Sequence, residues 1–332
     1  MNILKEIKKN TIVLLLITII VLYVILKDDW LNISKALTTM DVKYLILAII
    51  VFLISVSLKG IANYLIVNDK KKITVREAIK HNLITQFFNG ITPFSTGGQP
   101  MEIYMLTEHD ISLPKATNYT VQSFIFYQIA LVICGALAVT YNFIFKIFPK
   151  VTLLKYLVLL GFAINIFVVV ILLLVANSKK TTQKLSNLCK KVCKKLKING
   201  KDEEIETKFE DLYNGFKELS KNKKLSIIGI FLNILSLGFL YLIPLFVLFS
   251  MGDFTSLNIA DTITASAYIY LIGAFVPIPG ASGGIEYGFT QFYGNFIKAG
   301  TLSAVLLIWR FITYYLGVIM GALIFSLEKK VK

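Results

Sequence analysis

The chain has 332 residues and a formal charge of +15, with 56% of its residues apolar and only 17% charged. The apolar residues form unbroken runs of bilayer-crossing length, which excludes a soluble globular fold and predicts an all-α polytopic membrane protein built as one domain, residues 1–332. Lysines cluster in the loops beside those runs rather than on an amphipathic soluble face, so the charge reads as orientation in an anionic bilayer and not as nucleic-acid binding.

The first run, Thr11–Leu26, follows Lys5, Lys8 and Lys9 and resembles a secretory signal, but no small-residue cleavage site follows it. It reads as a retained first helix. Tyr44–Val67 is a second span, with Lys59 inside it. Next, Ile79–Leu106 is apolar at its ends but interrupted by Gly, Pro and hydroxyl residues, so it predicts a broken, re-entrant hairpin. Tyr119–Phe145 and Tyr156–Ala176 are spans, the former holding Cys134.

Lys179–Lys224 carries 14 lysines against 7 acids, and Ile205, Phe209, Leu212, Phe216 and Leu219 recur in it at helical spacing. This segment, about 178–224, reads as an amphipathic helix on an anionic cytoplasmic leaflet, or else as a docking site for a soluble partner. Leu225–Ser250 and Leu302–Leu327 are the last two spans, and Thr262–Phe289 between them is a second broken hairpin. The total is six spanning helices and two hairpins. Basic loops fall before residue 11, at Lys70–Lys80, at Lys179–Lys224 and at Lys329–Lys332, while Lys27–Lys43 and Met251–Asp261 are mixed or acidic. If each hairpin returns to the side it entered from, those basic loops and both termini lie in the cytoplasm of a cell membrane. The three lysines of Lys146–Lys155 fall on the opposite side and run against the rule.

The hairpins share a motif. Pro93-Phe94-Ser95-Thr96-Gly97-Gly98 in the first matches Pro279-Gly280-Ala281-Ser282-Gly283-Gly284 in the second, with a hydroxyl residue directly before each Gly-Gly and an acid soon after, Glu102 and Glu286. Each hairpin lies between two spans, which gives repeat 1 (about 44–145) and repeat 2 (about 225–327) in opposite orientations, an inverted repeat. Proline ends a helix, Gly-Gly lets the chain turn, and the amides of the following helix form a partly positive end. Two such breaks meeting at the midplane would build one polar site; the plainer alternative is that Gly and Pro serve tight helix packing.

Of the two arginines, Arg76 lies in a basic loop and Arg310 inside the last span. A guanidinium at that depth is costly without a partner, and Glu286 is its expected one. The pair is either purely structural or part of a site in which Arg310 and Lys59 hold a phosphate-bearing headgroup beside Ser95, Thr96 and Ser282. Lys59 could instead snorkel to an interface. No nucleotide-binding loop occurs, and Cys134, Cys189, Cys193, His81 and His109 form no metal quartet, so free thiols, no metal and no cofactor are expected.

Asn89-Gly90-Ile91-Thr92-Pro93-Phe94-Ser95-Thr96-Gly97-Gly98-Gln99-Pro100 and Val276-Pro277-Ile278-Pro279-Gly280-Ala281-Ser282-Gly283-Gly284-Ile285-Glu286, followed by Arg310, resemble the lysylphosphatidylglycerol synthase transmembrane, or flippase-like, family. The resemblance covers essentially the whole chain. It implies a prokaryotic inverted-repeat membrane domain moving lipids between leaflets. With the residues read above, the expected substrate site comprises Lys59, Pro93, Ser95, Thr96, Gly97, Gly98, Gln99, Glu102, Pro277, Pro279, Ser282, Gly283, Gly284, Glu286 and Arg310. Many relatives have a basic residue shortly after the first Gly-Gly-x-Pro, where this chain has Met101-Glu102. Larger relatives carry a cytosolic transferase domain that this sequence lacks, so aminoacyl transfer is expected to be missing. A lipid translocase with Glu102 and Glu286 as candidate proton carriers is therefore the leading expectation. A phosphatidylglycerol lysyltransferase or a scaffold for a partner enzyme are the alternatives.

Overall fold

The structure is a computed structural model describing residues 38–67, 72–148, 152–195, 223–274 and 276–331, with scattered residues of 203–217. The expected first span, Thr11–Leu26, lies outside the described residues, as does most of the Ile205–Leu219 pattern. Everything regular among the described residues is helical. Five of these helices are long and apolar enough to cross a membrane.

Repeat 1 opens with α1, Val42–Ile66, whose first turn is capped by the Asp41 carboxylate accepting from the Lys43 amide. The hairpin follows as α2 (Val75–Gly90), a 3-10 turn at Pro93–Ser95, and α3 (Gly98–Glu108). Reciprocal bonds between Thr74 and Glu77 start α2 by satisfying amides that no earlier turn can reach. The third element, α4, runs from Leu113 to Phe145. It starts six residues before the apolar run because Pro114 suits a first helical turn. Two connecting helices come next, α5 (Thr152–Asn177) and the lysine-rich α6 (Lys179–Lys195), broken only at Ser178. Repeat 2 has the same order: α7 (Lys223–Ser250), then α8 (Ile259–Gly273), a 3-10 turn at Pro279–Ala281 and α9 (Gly284–Tyr293). Its last span is α10 (Ala299–Arg310), which runs through a wide turn at Phe311–Tyr315 into α11 (Leu316–Val331).

The packing repeats as well. In each repeat the first span packs on the outgoing hairpin leg, the two legs pack on one another, and the last span of one repeat packs on the hairpin of the other: α4 on α8, and α11 on α2. The first spans of the two repeats, α1 and α7, pack along one another and run antiparallel, because the Asp41 amide at the start of α1 donates to the Ser250 carbonyl at the end of α7, at 2.7 Å. Partway along, Ser55 Oγ donates to the Ser236 carbonyl and Ser236 Oγ donates to the Ser55 carbonyl, each at 2.8 Å. That exchange is what a two-fold axis between equivalent helices produces. Close backbone approach supports it elsewhere: a Cβ on Gly60 would stand 2.7 Å from the Ile79 Cα, and one on Gly321 would stand 2.2 Å from the Leu83 carbonyl oxygen.

Side-chain contacts fix the two ends. Lys80 in α2 pairs with Glu328 in α11, and Lys72 donates to the Asp110 carbonyl just after α3, so hairpin 1 enters and leaves at one end together with the end of α11. At the opposite end Tyr141 of α4 donates to Asp261 of α8, and Phe148 packs on Tyr268 and Phe292 of hairpin 2. The hairpins therefore enter from opposite ends, and their 3-10 turns pack against each other inside the bundle.

Candidate functional site

The two tips adopt one conformation in one register. Phe94 and Ser95 in the first, and Gly280 and Ala281 in the second, are successive residues with positive φ, between 52° and 63°. For Phe94, Ser95 and Ala281 that is a sparsely populated, costly backbone state, retained only where its surroundings hold it. At Gly280 the absence of a side chain is needed twice over, since φ is +63° and a Cβ would lie 2.5 Å from the Tyr314 ring.

Beside the tips lies a chamber of about 470 Å³, a size typical of ligand pockets, lined by both turns and by α1, α2, α3, α4, α5, α7, α8, α9 and the last span. Lys59, Ser95, Gln99, Glu102 and Arg310 of the expected residues line it. Arg310 is held by three contacts: its Nε donates to Glu286 Oε1 at 2.7 Å, its Nη2 donates to the Gly280 carbonyl at 2.5 Å, and its guanidinium lies 4.4 Å from the centre of the Tyr314 ring. Arg310 is 4% exposed and Glu286 is 2% exposed. The Tyr314 hydroxyl in turn donates to the Gly90 carbonyl, so the tip of hairpin 2, the arginine and the end of α2 form one connected network across the repeats.

Lys59 stands over the Tyr127 ring, its Nζ 4.4 Å from the ring centre, with Glu102 as its charged neighbour. Glu102 accepts from Asn63 Nδ2 at 3.3 Å, and Asn63 Oδ1 accepts from Ser123 Oγ at 2.6 Å. The acids are thus not equivalent despite the shared motif. Glu286 sits in the first turn of α9, where it also accepts from the Gly283 amide at 2.6 Å, while Glu102 lies further along α3 and accepts from Asn63.

The remaining expected residues build the tips rather than the chamber wall. Pro93 and Pro279 open the two turns, and Gly97-Gly98 and Gly283-Gly284 begin the returning helices. Thr96 and Ser282 donate to the Pro93 and Pro279 carbonyls. Pro277 lies in the connector from α8 and is not part of the lining. Helix-end amides expected to face an anion are bonded within the hairpins: Gly97 N to Thr92 Oγ1 and Gly98 N to Asn89 Oδ1, both at 2.8 Å, and Gly283 N to Glu286.

Most of the polar wall was not singled out from sequence. Asn82, Thr85, Gln86 and Asn89 on α2 line the chamber at offsets of three, four and seven residues, one face of a helix. Thr120, Ser123, Tyr127 and Gln128 form the equivalent stripe on α4. A polar stripe at helical spacing within an otherwise apolar span was the readable signal. The Thr85 and Thr120 hydroxyls are buried and without a hydrogen-bond partner among the described residues.

A family model described as the lysylphosphatidylglycerol synthase TM region matches residues 10–321. Among curated proteins, a UPF0104 membrane protein of Archaeoglobus fulgidus is 22% identical over 298 residues, spanning 84% of this chain and 85% of that protein.

Proposed function

From the premise that this chain belongs to the lysylphosphatidylglycerol synthase TM region family, we propose that it is a lipid translocase whose central chamber carries a phospholipid or lipid-linked headgroup between leaflets. One observation carries this reading: charged groups from both repeats, with carboxamides from repeat 1 and α5, converge on a single chamber, where two hairpins entering from opposite ends meet tip to tip. A headgroup crossing bare hydrocarbon forfeits its hydration at several kcal/mol per unsatisfied polar group. The chamber supplies replacement partners at that depth while the acyl chains stay in the bilayer. Rocking of one repeat against the other would open it to each leaflet in turn.

The end that gathers Lys72, Arg76, Lys80, α6 and Lys223–Lys224 is the cytoplasmic one under the positive-inside rule. Lys59 is the chamber cation without an ion-pair partner among the described residues, so it is the charged group left to meet a headgroup. Arg310 and Glu286 hold the tip of hairpin 2 in position. The protein reconstituted in vesicles with a fluorescent phospholipid tests this directly: wild type speeds loss of the outer-leaflet signal's asymmetry, and Arg310→Ala and Glu286→Gln abolish it. Equal lipid movement in vesicles with wild type, with either variant and with no protein would refute the reading.

A further inference from the structure

We infer that the group the chamber recognises is a neutral polyhydroxyl headgroup, glycosyl or glycerol in kind, rather than an aminoacyl group or a bare phosphate. This rests on the translocase reading and goes beyond it by naming the headgroup chemistry. The charges are the first reason. Lys59 and Glu102 both line the chamber and Arg310 is bound to Glu286, two cations against two acids, so the chamber and its immediate shell carry no net charge to select an ion.

The second reason is how the carboxamides are spent. Asn82 Nδ2 donates to the Val56 carbonyl at 2.9 Å, Asn165 Nδ2 to the Gly161 carbonyl at 2.7 Å, and Gln86 Nε2 to the Thr313 carbonyl at 3.3 Å. In each the amide nitrogen is anchored to backbone, and the side-chain oxygen has no hydrogen bond among the described residues while its residue lines the chamber. Asn89 is the reverse case: its oxygen takes the Gly98 amide and its NH2 is left over. Gln99 and Gln128 also line the chamber, with both halves of each amide available among the described residues. The wall therefore presents fixed acceptors and fixed donors together, and a sugar or glycerol hydroxyl can satisfy both because it donates one hydrogen bond and accepts two. A phosphate only accepts and would face the Asn82, Gln86 and Asn165 oxygens unpaired. An ammonium only donates and would compete with Lys59.

Thr85 and Thr120 supply the third reason. Their buried hydroxyls have no hydrogen-bond partner among the described residues, and a hydroxyl-bearing ligand would give them one. The Tyr270 ring also lines the chamber and adds apolar surface for the C–H side of such a group.

The test uses the full chain in vesicles containing an acyl-labelled glucosyl diacylglycerol, phosphatidic acid or phosphatidylethanolamine, with chemical quenching of the outer leaflet. The glucosyl lipid is expected to move at least about tenfold faster than either of the others once protein-free rates are subtracted, since sites built to bond a hydroxyl discriminate strongly against its absence. Thr120→Val and Gln128→Leu remove groups with no hydrogen-bond partner among the described residues, so they should leave thermal stability equal or higher while slowing the glucosyl lipid about tenfold. Comparable or faster movement of the other two lipids, or unchanged rates in both variants, overturns the headgroup assignment and leaves the translocase standing. If no lipid moves, the translocase reading is lost, and binding decides the assignment: a glucosyl-lipid thermal shift that Thr120→Val abolishes sustains it, and no such shift overturns it. Protection by free glucose equal to that by the glucosyl lipid would overturn the lipid-borne source.

Discussion

Removing the carboxylate from the Arg310–Glu286 pair is the perturbation with the most determinate outcome. Glu286→Gln leaves a guanidinium that is 4% exposed without its counter-charge, still tied to the Gly280 carbonyl and lying over Tyr314. Breaking a buried pair at one partner costs about 3–5 kcal/mol, most of it the uncompensated charge that remains. At about 1.4 kcal/mol per tenfold, the folding equilibrium falls by roughly a hundredfold or more. Arg310→Met pays a similar penalty from the other side, because Glu286 keeps only its bond from the Gly283 amide. The double variant Glu286→Leu/Arg310→Met removes both charges and replaces them with apolar side chains, which elsewhere is neutral or stabilising. It should therefore recover most of the stability that either single variant loses. Unfolding midpoints of the purified protein in one detergent, read for wild type, both singles and the double, give the coupling. Lipid movement separates structure from function: the double variant should fold yet stay inactive, because the tip of hairpin 2 has lost its anchor. Singles within about 0.5 kcal/mol of wild type, or a double no better than the worse single, would refute the pairing argument.

Gly280→Ala should lower stability by about 2 kcal/mol or more, from a positive φ and a rigid Tyr314 ring 2.5 Å from the new Cβ, read as a reduced unfolding midpoint. Gly321→Leu drives a side chain into the Leu83 carbonyl and should separate α11 from α2, seen as loss of the monodisperse peak in size-exclusion chromatography, whereas Gly238→Leu, with open space around it, should be tolerated. With the native cysteines replaced, Ser55→Cys/Ser236→Cys should cross-link under mild oxidation, so that proteolysis within 179–224 still leaves one band on a non-reducing gel; two bands would contradict the α1–α7 contact. A membrane-impermeant thiol reagent should label Cys189 and Cys193 only after spheroplasts are opened, and labelling of intact cells would reverse the proposed orientation.

Span lengths alone set out most of the bundle, because a helix in hydrocarbon must satisfy its own backbone and so declares itself as an apolar run of fixed length. The broken hairpins were legible for the converse reason: Pro93, Gly97-Gly98, Pro279 and Gly283-Gly284 cannot continue a helix, and their common spacing marked them as equivalent. The pairing of Arg310 with Glu286 followed from the cost of a lone buried charge. Which carboxamides face the chamber did not follow, since that depends on the rotation of α2 and α4 about their own axes, and only contacts with other helices fix that rotation. Nor could spacing reveal that the Gly97, Gly98 and Gly283 amides are already bonded within their hairpins, or that Glu102 and Glu286 do different work despite similar places in the motif. Sequence determined the elements and their order through one-dimensional rules of length and breakage. The site's polarity was decided by tertiary structure, because a hydrogen bond is a matter of distance and direction between groups far apart in the chain.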